Sequence, residues 1–307
     1  MIRFFYEAAG NLKRKGKPYW SLVYKLGKLL LNLLYPVSQR FRRAAGTDEN
    51  GRIIVSLTSF PDRIGTVWIT IASLFNQTRR PYRVILWLAG EQFPDRSIPK
   101  SLSRLRKRGL EIRFCEDDLK PHKKYFYAVQ EYPEYFVVTA DDDVLYPENF
   151  LEELWKGCEK YPGAVVCSWS HQIGFSGQGG FEPYNSWADE PVPVPQYRTL
   201  AVGCNGILYP PGSIPKDALD KEKIRENALY TDDLWLKCME IRNGRKAVNC
   251  RDSVLIYFNQ LAAGGSGLWK RNTGPEQNND RVWERLMRLY PEVRDALAEE
   301  AASEKEG

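Results

Sequence analysis

Three consecutive carboxylates, Asp141, Asp142 and Asp143, follow an apolar segment at residues 135–139 that is predicted to be a buried strand. Neighbouring carboxylates repel one another unless a cation or solvent separates them, and their oxygens suit Mg²⁺ or Mn²⁺. Because alternate side chains at a strand end point the same way, Asp141 and Asp143 can converge on one ion while Asp142 points elsewhere. A solvated acidic turn is the alternative, but the entirely apolar strand favours a metal site.

A second pair of acids, Asp232 and Asp233, follows Thr231 at the predicted start of a helix. The pattern has a purely structural explanation, because threonine is a good N-cap and acids in the first turn complement the helix dipole. In the functional interpretation, one carboxylate is a general base that takes the proton of an attacking hydroxyl. The pair alone does not decide between the two.

The loop after the first predicted strand, residues 56–63, contains no glycine. A divalent ion between two phosphates serves nucleotide-sugar chemistry or nucleotidyl transfer. A nucleotidyltransferase is expected to cradle its triphosphate with a glycine-rich loop, so this loop disfavours that class. Thr58 and Arg63 can instead hold a nucleotide, with Arg63 near a phosphate. An ordinary strand-to-helix turn explains the same residues nearly as well.

Apolar strands alternate with helical patterns from Arg52 onward, as in a parallel sheet covered by helices on both faces. The predicted strands are residues 53–57, 84–88, 110–114, 135–139, 164–168 and 253–258, and residues 203–209 are expected to form an ordered segment. The predicted helices are residues 67–74, 102–105, 124–132, 150–161, 231–241 and 282–289. Ligands of open α/β sheets bind beyond the carboxyl ends of the strands, where the three acids fall.

The composition narrows the possible classes of protein. The 307 residues suffice for one large domain or two small ones. The ordinary apolar fraction and the lack of a charge-free apolar run of about 18 residues exclude a disordered chain and a polytopic membrane protein. The six cysteines lie at least nine residues apart, which gives no zinc spacing and indicates a reduced, cytosolic protein. Two histidines are too few for a histidine-rich metal site.

Positive charge is concentrated in residues 1–47, the arm, which carries ten basic side chains and one acid. The remainder carries 34 basic and 38 acidic side chains, which argues against a nucleic-acid partner. Residues 19–35 of the arm predict a helix ended by Pro36. This helix has one polar stripe, Ser21, Lys25, Lys28 and Asn32, on an otherwise apolar circumference.

Because basic residues flank the arm helix on both sides, we expect it to lie on an anionic membrane surface. Packing on the domain's own core or on a partner subunit is the alternative. At the other end of the chain, the acidic residues 296–307 are expected to form a disordered tail.

Two glycine-rich segments have open interpretations. Residues 171–197 combine glycines with aromatic side chains and can close over a ligand or stack on a sugar, although core packing is the more frequent role of such aromatics. Residues 264–267 precede Lys270 and Arg271, which can form a second, flexible phosphate contact with the donor. A plain glycine linker is equally consistent with that sequence.

Eight motifs occur in a fixed order over roughly residues 52 to 290, namely IIVSLTSFPDRI, LFNQTRRP, VILWLA, FCEDDLKPHKKY, VVTADDDVLYP, GCNGILYPP, TDDLWLK and LWKRNTGPEQNND. In this order they resemble the bacterial glycosyltransferases of capsule, lipopolysaccharide and exopolysaccharide clusters, distant relatives of the family 2 enzymes. The resemblance implies a GT-A fold, which is a Rossmann-like αβα sandwich with a DxD-type motif. It also implies that the second half of the chain forms the side of the domain that binds the acceptor.

The resemblance assigns roles on the donor side. It places Asp141 and Asp143 on Mn²⁺ or Mg²⁺ and the donor diphosphate. The run of three acids departs from the simpler D-x-D, so Asp142 is an alternative ligand. Thr58 and Arg63 fall at the first nucleotide-contacting loop.

The resemblance also assigns a basic residue and a catalytic base. Lys124 falls where a basic residue can face the donor, and Asp233 matches the last acid of the E-D motif, the base in inverting members. Asp232 stands where glutamate is usual, so Asp232 and Asp233 can exchange roles.

The combined expectation is an α/β chain with an amphipathic helical arm at residues 1–47, a GT-A domain at residues 48–295 and the tail at residues 296–307. The expected enzyme is a metal-dependent, inverting glycosyltransferase that uses a nucleotide-sugar donor and a glycan or lipid-linked glycan acceptor. Its expected location is cytoplasmic and peripheral, on the inner face of the cytoplasmic membrane. The alternatives are a nucleotidyltransferase and a non-catalytic carbohydrate-binding protein, and the intact acids argue against the latter.

Overall fold

The computed structural model of the chain describes residues 1–41, 46–176, 180–189, 191–251, 258–263, 267–275 and 278–306. Its strands are β1 (Ile53–Thr58), β2 (Arg83–Ala89), β3 (Leu110–Cys115), β4 (Phe136–Ala140), β5 (Val144–Leu145), β6 (Val165–Cys167), β7 (Ser170–Gln172), β8 (Thr199–Ala201), β9 (Ile207–Tyr209), β10 (Ala247–Asn249) and β11 (Phe258–Asn259). Its α-helices are α1 (Ile2–Arg14), α2 (Trp20–Phe41), α3 (Val67–Phe75), α4 (Lys100–Arg106), α5 (Lys123–Phe126), α6 (Ala128–Glu131), α7 (Phe150–Lys160), α8 (Lys221–Asn227), α9 (Asp232–Arg242), α10 (Leu268–Thr273), α11 (Asn278–Leu289) and α12 (Pro291–Glu306).

A central sheet contains seven of these strands in the order β10-β6-β9-β4-β1-β2-β3. Its strands run parallel except β9, which lies antiparallel between β4 and β6. Two small antiparallel sheets pair β5 with β11 and β7 with β8. The carboxyl ends of β1, β4 and β6 therefore meet at one edge of the central sheet.

Helices cover both faces of the central sheet because its strands are apolar on both sides. Side chains of α3, α4 and α7 share one buried cluster with strand residues, and side chains of α8, α9, α11 and α12 share another. Burial of these apolar surfaces is the main stabilising contribution. The GT-A-type αβα sandwich expected from the sequence is confirmed, as is the helical arm before it.

The structure differs from the sequence prediction at several boundaries. Of the ordered segment expected at residues 203–209, only Ile207–Tyr209 is a strand, because Asn205 and Gly206 have φ angles of 80° and 86° that break a strand. The predicted helix 124–132 is two short helices, α5 and α6. Strand β10 was not predicted, and residues 253–257 of the last predicted strand lie outside the described residues.

Helix α2 does not end at Pro36 but continues to Phe41. Proline has no N–H to donate to the carbonyl of Asn32, so one backbone hydrogen bond is lost. Leu31 and Tyr35 are 0% and 1% exposed on the face that packs against the body. We attribute the continuation of the helix to this burial, which offsets the missing bond.

Helices α1 and α2 of the arm pack against each other and against the body. A Cβ at Gly27 would lie 2.9 Å from Phe5 Cδ1, so glycine permits the close approach of the two helices. Ile2 and Leu31 are buried in one cluster with Leu145 and Phe258 of the body. No described helix is both long and apolar enough to cross a membrane.

Two opposite faces of α2 have opposite surroundings. Its outer stripe is exposed by 48% to 67% and consists of Leu22, Leu26, Leu29, Leu33 and Val37. Its inner stripe faces the body and consists of Tyr24, Lys28 and Asn32. Two members of the predicted polar stripe, Lys28 and Asn32, thus turn inward, and the apolar side chains of the outer stripe are left uncovered by the described residues.

The last helix, α12, occupies most of the segment expected to be a disordered tail. Val293 and Leu297 are fully buried in the cluster around α9 and α11. Glu300 accepts a hydrogen bond from the backbone N–H of Arg198 at 2.8 Å. These contacts correct the expectation of disorder from residue 296 onward as far as Glu306.

Candidate active site

The three acids after β4 differ in their exposure and in their partners. Asp142 is only 7% exposed and turns inward, where it accepts hydrogen bonds from Ser59 Oγ at 2.6 Å and Arg63 Nη1 at 2.7 Å. The side chains of Asp141 and Asp143 are 23% and 21% exposed. Arg63 Nη1 also lies 2.9 Å from Asp143 Oδ2. Asp142 is therefore held inside by the loop after β1, and its two neighbours reach the edge of the sheet.

Lys124 connects this group to the second pair of acids. Its ammonium forms an ion pair with Asp141 and lies 4.0 Å from Asp232 Oδ2. Burial acts to lower the pKa of Lys124, but the carboxylates of Asp141, Asp232 and Asp233 outweigh it and raise that pKa above its ordinary value. Lys124 therefore stays charged at the point where both acid groups meet.

Buried hydrogen bonds fix the helix that carries Lys124. The hydroxyl of Ser56 in β1 donates to the Lys124 carbonyl and accepts from Trp87 Nε1 at 2.9 Å. Ser56 and Trp87 are 0% and 3% exposed, so these bonds are shielded from water. The sheet thereby sets the position of α5 below the acids.

The second pair of acids begins α9, next to the loop before β9. The N–H of Gly203 donates to Asp233 Oδ1 at 3.1 Å, and a Cβ at residue 203 would lie 2.9 Å from that oxygen. Burial raises the pKa of Asp233 well above its usual range, the charge of Asp232 adds to the rise, and Lys124 opposes it. A carboxylate with a raised pKa is suited to accepting a proton near neutral pH.

The residues at the end of β4 fit a divalent metal ion. Burial raises the pKa of Asp143 to about 6, and the charge of Asp141 adds to this rise. A cation relieves that repulsion, and Mg²⁺-type ions in phosphate sites need only one or two carboxylates, with phosphates and water completing the shell. Among the described residues, no three His, Cys, Asp or Glu side chains are arranged to hold a metal ion. An ion on Asp141 and Asp143 would therefore take its other ligands from substrate and water.

Thr58 and its neighbour Ser59 make different contacts within the protein. The hydroxyl of Thr58 donates to the carbonyl of Trp87 at 2.8 Å, so this side chain joins β1 to β2. Ser59, which the sequence analysis did not single out, contacts Asp142 instead. Gly203 was also missed, because a backbone donor gives no side-chain signal in a sequence.

Lys270 lies exposed on α10. Two neighbours of Lys270 on this helix contact Tyr230. Arg271 lies over the Tyr230 ring at 3.8 Å, and Asn272 donates to the Tyr230 carbonyl at 2.8 Å. Tyr230 is two residues before Asp232. Residues 264–266 of the predicted flexible phosphate contact lie outside the described residues.

The aromatic side chains of residues 171–197 contribute to the core. Tyr184 and Trp187 are 8% and 4% exposed, and the Trp187 ring meets the Trp283 ring edge to face at 5.5 Å. These contacts favour core packing over sugar stacking for these two rings. Residues 177–179, which include two of the four glycines of residues 171–197, lie outside the described residues.

No protein-family model and no curated protein matches the sequence significantly. Among solved structures, the chain is similar to S. aureus TarS 1–349 in complex with UDP-GlcNAc, with 15% identity and a TM-score of 0.48 over 79% of this chain and 66% of that one. A second TarS 1–349 structure has 60% of its length covered, with 12% identity and a TM-score of 0.44 over 68% of this chain. The mannosyltransferase PcManGT from Pyrobaculum calidifontis, in complex with GDP-Man and Mn²⁺, has 12% identity and a TM-score of 0.47 over 90% of this chain and 79% of its own. The chain thus spans less than two thirds of the length of the two TarS structures.

Proposed function

We propose that the chain is a metal-dependent glycosyltransferase that moves a sugar from a nucleotide-sugar donor to a hydroxyl of a lipid-linked glycan in cell-surface polysaccharide synthesis. The main support is the position of Lys124 between Asp141 of one acid group and Asp232 of the other. The first group suits a metal-bound diphosphate, and the second suits a hydroxyl that must lose its proton. Donor and acceptor would therefore meet beside Lys124.

The proposed reaction is a single displacement with inversion. Asp233 accepts the proton of the acceptor hydroxyl while the hydroxyl oxygen bonds to the anomeric carbon of the donor. The bond from that carbon to the diphosphate oxygen breaks, and the electron pair leaves with the nucleoside diphosphate. The N–H of Gly203 orients Asp233, and Lys124 faces the charge that develops on the leaving group. Mn²⁺ or Mg²⁺ on Asp141 and Asp143 supplies further stabilisation of phosphate charge when bound.

Thermal unfolding with nucleoside diphosphates and nucleotide sugars, with and without Mn²⁺, tests the donor site. We expect one nucleoside diphosphate and the corresponding nucleotide sugar to raise the Tm only when Mn²⁺ is present. At ~100 times the Kd, the free energy of unfolding should increase by about 2.7 kcal/mol. The double variant Asp141→Ala, Asp143→Ala should lose the whole metal-dependent increase. The exposed acids Asp217 and Asp295 provide the matched control, since changing both to alanine should leave the increase intact.

Other outcomes of this measurement would contradict the proposal. Metal-dependent stabilisation by nucleoside triphosphates alone would indicate a nucleotidyltransferase. Stabilisation by glycans with no effect of Mn²⁺ or nucleotide would indicate a non-catalytic carbohydrate-binding protein.

We further propose that the arm binds an anionic membrane on its cytoplasmic face. The outer stripe of α2 and Phe4 of α1 are exposed apolar side chains, and Lys13, Arg14, Lys15 and Lys17 lie at the end of α1 and in the turn before α2. Apolar side chains next to cations match the boundary between acyl chains and anionic headgroups. Among the basic residues on the carboxyl side of the arm helix, residues 42 and 43 lie outside the described residues.

Sedimentation with liposomes tests the membrane proposal. The full chain should pellet with anionic vesicles, and the double variant Leu26→Glu, Leu29→Glu should bind at least about tenfold more weakly, since each buried leucine contributes ~1.5–3 kcal/mol. Leu289→Glu is the control, because Leu289 is 46% exposed but lies on α11. Equal binding of wild type and double variant would show that α2 does not contact the lipid.

A further inference from the structure

Asn32 of the arm holds a segment of the body at two points. Its Nδ2 donates to the carbonyl of Asn259 at 3.2 Å, and its Oδ1 accepts from the N–H of Leu261 at 2.8 Å. The two bonds lie on either side of Gln260. One arm side chain therefore fixes the backbone around a single residue of the body.

Gln260 in turn holds the backbone of the acidic segment. Its N–H donates to the carbonyl of Asp143 at 2.7 Å, and its Nε2 lies 3.4 Å from the carbonyl of Asp142. The same Nε2 donates to Thr70 Oγ1 at 2.7 Å, and the Thr70 hydroxyl donates to the carbonyl of Val144, also at 2.7 Å. Gln260 is 4% exposed, so these bonds are protected from water.

Strand pairing and ring stacking support the same contact. Phe258 and Asn259 of β11 pair with Leu145 and Val144 of β5, directly after the acids. The ring of Tyr24 in α2 stacks on Phe258, with centroids 5.3 Å apart and planes inclined by 19°. The inner stripe of α2 therefore lies along the only strand that pairs with β5 in the described residues.

Lys28, on the same face of α2 one turn before Asn32, is close enough to the acids to interact with their charge. Burial lowers its pKa, and the negative charge of Asp143 opposes the change. This face of the arm thus borders the acidic segment electrostatically as well as through hydrogen bonds.

We infer that Asn32 is a positioning residue of the active site, which acts through Gln260 on the backbone of Asp142 and Asp143. This inference rests on the proposed metal site. Groups that orient metal ligands without touching the ion affect affinity strongly, typically 10–100-fold when they are removed. The arm is then a structural part of the site in addition to a contact with lipid.

The test measures Mn²⁺ binding by the full chain in the presence of the nucleoside diphosphate that the thermal unfolding experiment selects. Binding is followed as loss of the electron paramagnetic resonance signal of free Mn²⁺. In Asn32→Ala the Kd for Mn²⁺ should rise about tenfold or more at a temperature well below the Tm of the variant. Asn11→Ala is the matched control, because Asn11 is an exposed arm asparagine that accepts from Arg14 at 2.6 Å. Its Kd should equal that of the wild type.

The possible results separate this inference from the proposed function. An Asn32 variant with a lower Tm and an unchanged Kd would show that the bonds only stabilise the fold, and would overturn the inference alone. Asn32→Ser, which cannot span both partners, replaces the alanine variant if the latter does not fold. A wild type that binds no Mn²⁺ with any nucleoside diphosphate would overturn the proposed metal site and this inference together.

Discussion

Asp233→Asn should reduce the kcat of sugar transfer by about 10²–10⁴-fold, because an amide cannot take the proton of the acceptor hydroxyl. The asparagine side chain can still accept the N–H of Gly203, which lies 3.1 Å from Asp233 Oδ1. Binding of the nucleotide sugar should therefore remain, and the loss should appear in kcat rather than in the affinity for the donor. The measurement is release of nucleoside diphosphate in the presence of the proposed lipid-linked glycan acceptor.

Two neighbouring variants define what the loss means. Asp232→Asn distinguishes the roles of the two acids. A larger decrease in kcat in Asp232→Asn than in Asp233→Asn would identify Asp232 as the base. Asp217→Asn is the remote control, because Asp217 is an exposed acid paired with Arg242. Near wild-type activity of Asp233→Asn, or a product that retains the anomeric configuration of the donor, would contradict the inverting mechanism.

Lys124→Met should destabilise the fold by about 3 kcal/mol and also abolish transfer. The Lys124 side chain is 12% exposed, and its removal leaves the carboxylates of Asp141, Asp232 and Asp233 to repel one another without a cation. Because the pKa of Lys124 is raised in the folded state, the ammonium stays charged at neutral pH, and its own deprotonation removes the contribution to stability as the pH rises through that raised pKa.

Chemical unfolding at several pH values measures this effect. As the pH falls from about 8 to 5, protonation of Asp233, whose pKa is raised by burial, should narrow the difference in free energy of unfolding between wild type and Lys124→Met. Lys156→Met is the control, since its 69% exposed side chain pairs with Glu152 at 3.8 Å and should contribute at most about 1 kcal/mol. If the difference in free energy of unfolding between wild type and Lys124→Met does not change with pH, repulsion between the acids is not its cause.

The sequence located most elements of the sheet because buried parallel strands are nearly continuous apolar runs. Strands β1 to β4 begin and end within one residue of their predicted bounds. The antiparallel direction of β9 could not be predicted, since direction depends on which strands lie beside it. The tail was also misjudged, because Val293 and Leu297 find an apolar partner surface only in the folded chain.

The acids of the candidate site were recognisable for a different reason. A charge at the end of a buried strand, as at Asp141, is unfavourable without a partner and is therefore conspicuous. Ser59 and Gln260 gave no such signal, because small or neutral polar residues are common in loops. Their contacts to the acidic segment join parts of the chain that only the tertiary structure brings together.

The opposite faces of α2 also determine how far the candidate active site would lie from a membrane bound as proposed. With the outer stripe at the headgroup boundary, the acids would lie more than one helix diameter away, beyond about 10–12 Å, since the segment around Gln260 lies between the inner stripe and the acids. In the proposed reaction, a hydroxyl at that distance would belong to a sugar close to its lipid anchor. The proposed enzyme would therefore favour acceptors that carry short glycans.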